Sequence, residues 1–169
     1  MTLPITLATL ILTFVTLQRL AELVLANRNT RRLLERSAVE KSAAHYPMIV
    51  VLHATWLLGL WYLAWNAPVH WFWLSVFAVL QGLRIWVIAT LGERWTTRII
   101  MLPGAARITT GPYQYLSHPN YAVVVAEIAV LPLAFGLWAY ALAFSALNAL
   151  ILFVRIRAEA AALNEAESA

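Results

Sequence analysis

The chain alternates between long stretches without charged side chains and short stretches rich in arginine. Residues 42–83, 108–126 and 128–154 contain no Asp, Glu, Lys or Arg. A helix needs about 20 mostly apolar residues to cross a bilayer, so stretches of about this length or longer predict transmembrane helices. With the apolar residues 3–26, the pattern predicts about five transmembrane helices.

Short polar or neutral segments separate the predicted helices. The first three helices are predicted at residues 3–26, 47–65 and 71–91. The turn at residues 66–70 is uncharged and flanked by tryptophans, as is typical of a membrane–water interface. Residues 121–154 are too long for one straight span, and Pro132 and Gly136 predict a break near their middle. We therefore expect the last two helices to form a helical hairpin.

The placement of arginine predicts the orientation in the membrane. Most Lys and Arg residues lie in three segments, residues 28–41, 92–119 and 155–169. Loops with an excess of Lys and Arg stay on the cytoplasmic side. We therefore expect the N-terminus outside and all three segments inside. The first segment is basic and amphipathic, which predicts a position at the cytoplasmic interface.

The composition supports an all-α, polytopic integral membrane protein. The 169 residues are 62% hydrophobic and 12% charged, against about 25% charged in soluble domains. Such a chain leaves no room for a separate soluble domain, so one membrane-embedded domain over residues 1–169 is expected. The absence of Cys excludes disulfides, thiolate catalysis and Cys-type metal sites. We expect no metal. We also expect no nucleic-acid partner, since the positive charge lies beside the spans.

Ionisable side chains inside the predicted helices need an explanation. Each costs about 2.5–3.5 kcal/mol on membrane-insertion scales. Arg19 and Glu22 are three residues apart and share a helix face, which predicts a pair. Arg84 is either the partner of a carboxylate or a ligand contact. Glu127 is either a structural partner of Arg84 or Arg19, or a functional group.

Among the histidines, His118 has the most informative position. It ends the long cytoplasmic loop and precedes Pro119, a residue suited to the first turn of a helix. The N-terminus of a helix favours a carboxylate or a phosphate. His53 and His70 are explained as a hydrogen-bonded helix residue and an interfacial turn residue, and His45 as a packing residue where a span begins.

The last predicted helix carries Arg155 and Glu159 on one face, four residues apart. Alone they would be a surface ion pair of little energetic value. Just after a membrane hairpin, they could bind a zwitterionic ligand, with the arginine free for an anionic substrate. No glycine-rich dinucleotide motif follows a strand, so a Rossmann-type site is absent.

Two motifs occur together in the C-terminal half. They are Gly111-Pro112-Tyr113-Gln114-Tyr115-Leu116-Ser117-His118-Pro119-Asn120-Tyr121 and Arg155-Ile156-Arg157-Ala158-Glu159. The combination resembles the isoprenylcysteine carboxyl methyltransferase family, whose pattern is G-x-Y-x-x-x-R-H-P-x-Y with a later R-x-x-x-E-E. The resemblance covers about residues 82–163. Ser117 stands where the pattern has Arg, and Ala160 where it has the second Glu.

The resemblance implies a membrane methyltransferase that uses S-adenosyl-L-methionine (SAM). Its cofactor contacts would be Arg98, Ala105, Ala106, Arg107, Ile108, Tyr113, His118, Pro119, Asn120, Tyr121 and Glu159. Arg155 would bind the anionic oxygen of the substrate, with Arg84 as a further substrate contact. The catalytic candidates are Arg155, Glu127 and His118, the last two for a phenolic acceptor that must lose a proton.

Shorter motifs resemble a bacterial branch that O-methylates alkylpyrones or alkylresorcinols. They are Gln18-Arg19-Leu20-Ala21-Glu22-Leu23, His45-Tyr46-Pro47, Arg84-Ile85-Trp86 and Ala126-Glu127-Ile128. This implies methyl transfer to a carboxylate, enol or phenol oxygen of a lipid-like acceptor, foremost an alkylpyrone, that enters from the bilayer. The active site would face the cytoplasm at a bacterial inner membrane. The alternatives are a prenylcysteine carboxyl methyltransferase and a non-catalytic membrane scaffold or transport subunit.

Overall fold

The described part of the chain folds into five α-helices. A computed structural model describes residues 5–41 and 46–167, with the backbone alone for Lys41 and residues 158–167. The helices are α1 (Leu7–Glu35), α2 (Tyr46–Ala64), α3 (Trp71–Leu91), α4 (Pro119–Ala134) and α5 (Trp138–Glu167). Within these residues, four helical segments are long and apolar enough to cross a membrane: Leu7–Glu35, Tyr46–Ala64, Trp71–Arg94 and Trp138–Arg157. Helix α4 has 16 residues and is shorter, so a fifth span stays a prediction.

Helix α1 is longer than the sequence predicts. The expected end near residue 26 is wrong, because α1 continues to Glu35 and buries polar residues beyond the apolar stretch. The Asn29 side-chain amide donates hydrogen bonds to the carbonyl oxygens of Gly92, at 3.1 Å, and Trp95, at 2.8 Å. At Asn29, the segment expected to lie at the interface is therefore bound to the loop that follows α3.

The predicted break between the last two helices lies where Pro132 and Gly136 indicate it. Helix α4 ends at Ala134, and Gly136 has a φ of +73°, a left-handed conformation that suits glycine. The His70 backbone N–H donates to the Ala134 carbonyl oxygen at 2.8 Å, which ties the start of α3 to this turn. Helix α5 then continues through Glu167, well past the expected end of its apolar part near Val154.

A two-stranded sheet was missed by the all-α prediction. Strand β1 (Val39–Lys41) pairs antiparallel with β2 (Ile99–Met101), and Val39 lies opposite Met101. Three-residue strands are too short to show an alternating pattern, which explains why the sequence did not reveal them. The pairing joins the two loops that carry most of the arginines.

The core lies among the first four helices. Leu12, Trp56, Leu60 and Ile128 are almost completely buried there, and the Trp56 indole N–H donates to the Ile128 carbonyl oxygen at 3.3 Å. The outward faces expose large apolar side chains, for example Phe14, Leu58, Tyr62, Phe72 and Leu150. Extensive apolar surface of this kind is what a protein surrounded by lipid presents.

Candidate active site

A cavity of about 320 Å³ lies among the five helices and the segment that precedes β2, with α3 contributing Arg84. Its size is within the range of about 300–1,000 Å³ that is usual for small-molecule sites. The wall is mostly apolar, with side chains such as Leu57, Val124 and Leu152. Two groups of polar residues interrupt it. The first is Thr97, Asn120, Tyr121 and Arg155, and the second is Arg19, Glu22, His53 and Arg84.

Arg155 has neutral hydrogen-bond partners. Its Nε donates to the Tyr121 hydroxyl at 3.0 Å, and its Nη2 donates to the Thr97 carbonyl oxygen at 2.9 Å. The guanidinium carbon lies 5.4 Å from the centroid of the Tyr121 ring. Among the side chains that the structure describes, no carboxylate pairs with Arg155. None of the side chains that the structure describes therefore neutralises the charge of Arg155.

The start of α4 connects the family motif to Arg155. His118 is the N-cap residue and is exposed, while Pro119 is buried at the first helical position. The His118 ring stacks on the ring of Tyr121, with centroids 5.3 Å apart and planes at 14°. Asn120, which is also in the first turn of α4, lines the cavity. The structure thus brings His118, Tyr121 and Arg155 into one contiguous group.

A second group is a buried cluster of two arginines and two glutamates. Arg84 donates from Nη2 to Glu22 Oε2 at 2.6 Å and from Nη1 to Glu127 Oε2 at 2.8 Å. Arg19 donates from Nη1 to Glu22 at 3.0 Å and from Nη2 to Glu127 at 2.8 Å. The formal charges of the four groups cancel. The interpretation of Arg84 and Glu127 as structural partners is therefore confirmed.

The further roles suggested for this cluster remain predictions. Arg84 lines the cavity, so a contact with the acceptor is sterically open to it. Glu127 is 1% exposed and is not part of the described cavity wall. Its Oε1 accepts from the Gln81 amide at 2.8 Å, and its Oε2 accepts from both arginines. A carboxylate whose oxygens already accept from three side chains, and which lies outside the described cavity wall, is a poor candidate for removing a proton from a molecule in the cavity.

The other predicted cofactor residues lie on the loop before α4. Arg98 donates from Nη1 to Glu40 Oε2 at 3.0 Å, and this hydrogen bond raises the pKa of Arg98. The Ala106 carbonyl oxygen accepts from Arg94 Nη1 at 2.6 Å, which holds the strip formed by Ala105, Ala106, Arg107 and Ile108. Ala105 and Ile108 are half-buried, and Arg107 is exposed. The Glu159 side chain lies outside the described residues, so its contact with a cofactor stays a prediction.

The motif glycine brings the start of the short helix that contains Tyr113 close to α3. Gly111 begins a short 3-10 helix, Gly111–Gln114, with a φ of +57°. A Cβ at this position would lie 2.6 Å from the Thr90 hydroxyl oxygen. Both the conformation and the close approach therefore require glycine.

Two residues near the site, Asn29 and Thr97, were not singled out from the sequence, and His53 was assigned only a hydrogen bond within its helix. Asn29 and Thr97 hold the segment before β2, through the contacts given above. His53 lines the cavity in addition to its predicted hydrogen bond within α2. For Asn29 a signal was present, because it follows Glu22 by seven residues and so lies on the same face of α1.

Comparison with known proteins gives the class of this protein. The chain belongs to the isoprenylcysteine carboxyl methyltransferase (ICMT) family, whose sequence profile matches residues 73–165. The resemblance inferred from the motifs is thereby confirmed. With its long apolar helices, the protein is an integral membrane protein of a methyltransferase family.

The chain is also similar to one curated protein over nearly its full length. This relative is "Uncharacterized protein YpbQ" of Bacillus subtilis (strain 168), which is 38% identical over 162 residues, 92% of this chain and 96% of the relative. No solved structure matches the chain. The family profile begins within α3, so it does not include the parts of the cavity wall that α1 and α2 provide.

Proposed function

We propose that this protein is a SAM-dependent O-methyltransferase whose acceptor is a lipid-like molecule bound in the cavity. The observation that carries the proposal is Arg155, an arginine without a described carboxylate partner, at the polar end of a mostly apolar cavity. Such a site suits a molecule with an anionic oxygen and a hydrocarbon tail. Our leading candidate is an alkylpyrone or a similar polyketide lipid.

The residues at the start of α4 fit the proposed cofactor. The exposed His118 ring, stacked on Tyr121, offers an aromatic surface beside the N-terminus of a helix. Aromatic rings stack on planar bases, and a helix N-terminus attracts a carboxylate. The residues that would hold SAM are those inferred from the family motif, from Arg98 and the strip at 105–108 through Tyr113, residues 118–121 and Glu159. SAM, when bound, supplies an electrophilic methyl group on a sulfonium.

The protein contributes mainly alignment and charge stabilisation. Arg155 orients the acceptor oxygen and stabilises its negative charge, and the neutral contacts with Tyr121 and Thr97 hold the guanidinium in place. A carboxylate or an acidic enol is ionised near neutral pH and needs no base. A phenol must lose a proton. His118 is our candidate for this step because its exposed ring stacks on Tyr121 of the cavity wall, whereas the Glu127 oxygens already accept from Arg19, Gln81 and Arg84.

We further propose that α4 is the fifth span and forms a hairpin with α5. This arrangement places the arginine-rich loops and the cavity end at Arg155 on the cytoplasmic face of a bacterial inner membrane, following the distribution of Lys and Arg. The acceptor then enters laterally from the bilayer, and its tail stays in contact with apolar helix faces.

Calorimetric titration of SAM into the detergent-purified protein tests the cofactor. We expect micromolar binding that Glu159→Ala weakens strongly and the neighbouring Arg157→Ala leaves nearly unchanged. Transfer of a labelled methyl group from SAM to a synthetic alkylpyrone tests the acceptor. A folded protein that binds no SAM would contradict the proposal and favour a membrane scaffold.

The name of the family supports a second candidate acceptor. A prenylcysteine also combines a carboxylate with an apolar tail, so it would meet the same features of the cavity. Methylation of farnesylcysteine analogues, with no methylation of alkylpyrones or alkylresorcinols, would establish this alternative.

A further inference from the structure

The cavity contains an imidazole that the proposed reaction does not use. His53 lies on α2 and lines the cavity. Its Nδ1 is 2.8 Å from the Ile49 carbonyl oxygen, one turn earlier in the helix. A carbonyl oxygen only accepts hydrogen bonds, so Nδ1 carries the hydrogen and Nε2 of the neutral ring is an acceptor. Because Nδ1 faces the backbone of its own helix, Nε2 points away from α2.

The acceptor nitrogen of His53 is unused within the described structure. No described residue donates a hydrogen bond to Nε2. Glu22, the one carboxylate in the described cavity wall, already accepts from Gln18, Arg19 and Arg84. His53 is half-buried and lines a mostly apolar cavity, so its Nε2 is open to a ligand that supplies a hydrogen-bond donor.

His53 is separated from the Arg155 end of the cavity. At that end, Thr97 connects α5 with α2. Its carbonyl oxygen accepts from Arg155 of α5, and its hydroxyl donates to the Tyr46 hydroxyl of α2 at 3.3 Å. Along α2, His53 follows Tyr46 by seven residues, which corresponds to about 10 Å. A group that contacts Nε2 is therefore distinct from the oxygen held by Arg155.

From these positions we propose that His53 is a specificity-determining residue that accepts a hydrogen bond from a second hydroxyl group of the acceptor. This inference rests on the proposed function. Among the polyketide lipids proposed there, it selects those that carry a free hydroxyl besides the methylated oxygen, and so it favours an alkylresorcinol over the alkylpyrone. An alkylresorcinol has such a hydroxyl. An alkylpyrone has in its place a carbonyl oxygen, which cannot donate.

Two acceptors with the same alkyl tail test the proposal, a 5-alkylresorcinol and the 3-alkylphenol that lacks one hydroxyl. With wild-type protein we expect kcat/KM to be up to about tenfold higher for the resorcinol, the effect of one additional hydrogen bond. His53→Leu lowers kcat/KM for the resorcinol more than for the phenol, so that the preference is lost. His53→Gln restores part of the preference, because its amide oxygen accepts a hydrogen bond. His70→Leu, outside the described cavity wall, is the matched control.

Binding of the same two lipids without SAM separates this proposal from the proposed function. A preference for the resorcinol that His53→Leu abolishes, with no methyl transfer, would support the subsite and overturn the methyltransferase. An equal loss for both lipids would overturn the proposal, since a purely structural histidine acts on both alike. A wild-type preference for the alkylpyrone that His53→Leu leaves intact would overturn it too.

Discussion

Arg84 and Arg155 line the same cavity but have different partners. Arg84 is hydrogen-bonded to two glutamates, Glu22 and Glu127, which neutralise its charge. Arg155 is hydrogen-bonded to a tyrosine hydroxyl and a backbone carbonyl, which position it without cancelling its charge. The charge of the partners therefore distinguishes the two arginines. Arg84 stabilises the buried cluster, whereas Arg155 is the one that we propose to bind an anion.

The largest effect is a loss of stability, and it is expected from breaking the buried cluster of Arg19, Glu22, Arg84 and Glu127. Glu127→Gln keeps the size of the side chain but leaves Arg19 and Arg84 with one carboxylate between them. Removing one partner of a buried ion pair costs about 3–5 kcal/mol, so the unfolding temperature of the detergent-purified protein should fall clearly. Glu93→Gln is the control, because Glu93 pairs with Arg32 and Arg36 at the surface, where such pairs contribute about 1 kcal/mol or less. A variant of Glu127 that is as stable as wild type but inactive would instead assign it the role of a base.

The next largest effect is expected from replacing Arg155, whose described partners are neutral. Arg155→Ala should lower kcat/KM for methyl transfer by about 10²–10³-fold, as when a group that stabilises charge in the transition state is lost. The unfolding temperature should change little, since the partners of Arg155 are neutral. Arg157→Ala serves as the control because Arg157 is exposed and its described contact is with the Phe153 ring. Full activity of Arg155→Ala would place the acceptor elsewhere.

A smaller effect is expected from replacing Asn29, which supports the end of the cavity where Arg155 lies. Asn29→Ala removes hydrogen bonds to the carbonyl oxygens of Gly92 and Trp95, the second of which is buried, at a cost of about 1–3 kcal/mol. Because this segment continues to Thr97, we expect activity to fall together with stability. Asn27→Ala, at an exposed position on the same helix, should change neither. Unchanged activity in a destabilised Asn29 variant would show that the segment is held by other contacts.

The smallest effect tests how Arg155 is positioned. Tyr121→Phe keeps the ring beside His118 and Arg155 but removes the hydroxyl that accepts from Arg155 Nε. Loss of one such hydrogen bond is worth about 0.5–1.5 kcal/mol, so kcat/KM should fall by up to about tenfold. The exposed Tyr115→Phe is the comparison. A loss as large as that of Arg155→Ala would mean that the hydroxyl itself contacts the reacting groups.

Much of the fold could be predicted because apolar stretches and turn residues are local signals. Helix α3 begins and ends as expected, and the break at Gly136 lies at its predicted place. The end of α1 and the strands β1 and β2 could not be predicted, because they depend on contacts between loops distant in sequence. The proximity of His118 and Tyr121 could be predicted from their helical spacing. The position of His53 in the cavity wall could not, because it depends on how α2 packs against the other helices.

The sequence by itself determined the membrane class, the approximate helices and, through two motifs, membership of the ICMT family. These properties follow from length, hydropathy and residue identity, which need no tertiary information. Only the tertiary structure decided which charges neutralise one another. Arg84 and Glu127 are 43 residues apart, and Arg19 and Glu127 are 108 apart. Their pairing depends on how each helix is rotated against its neighbours, and that rotation also leaves Arg155 and His53 facing a shared cavity.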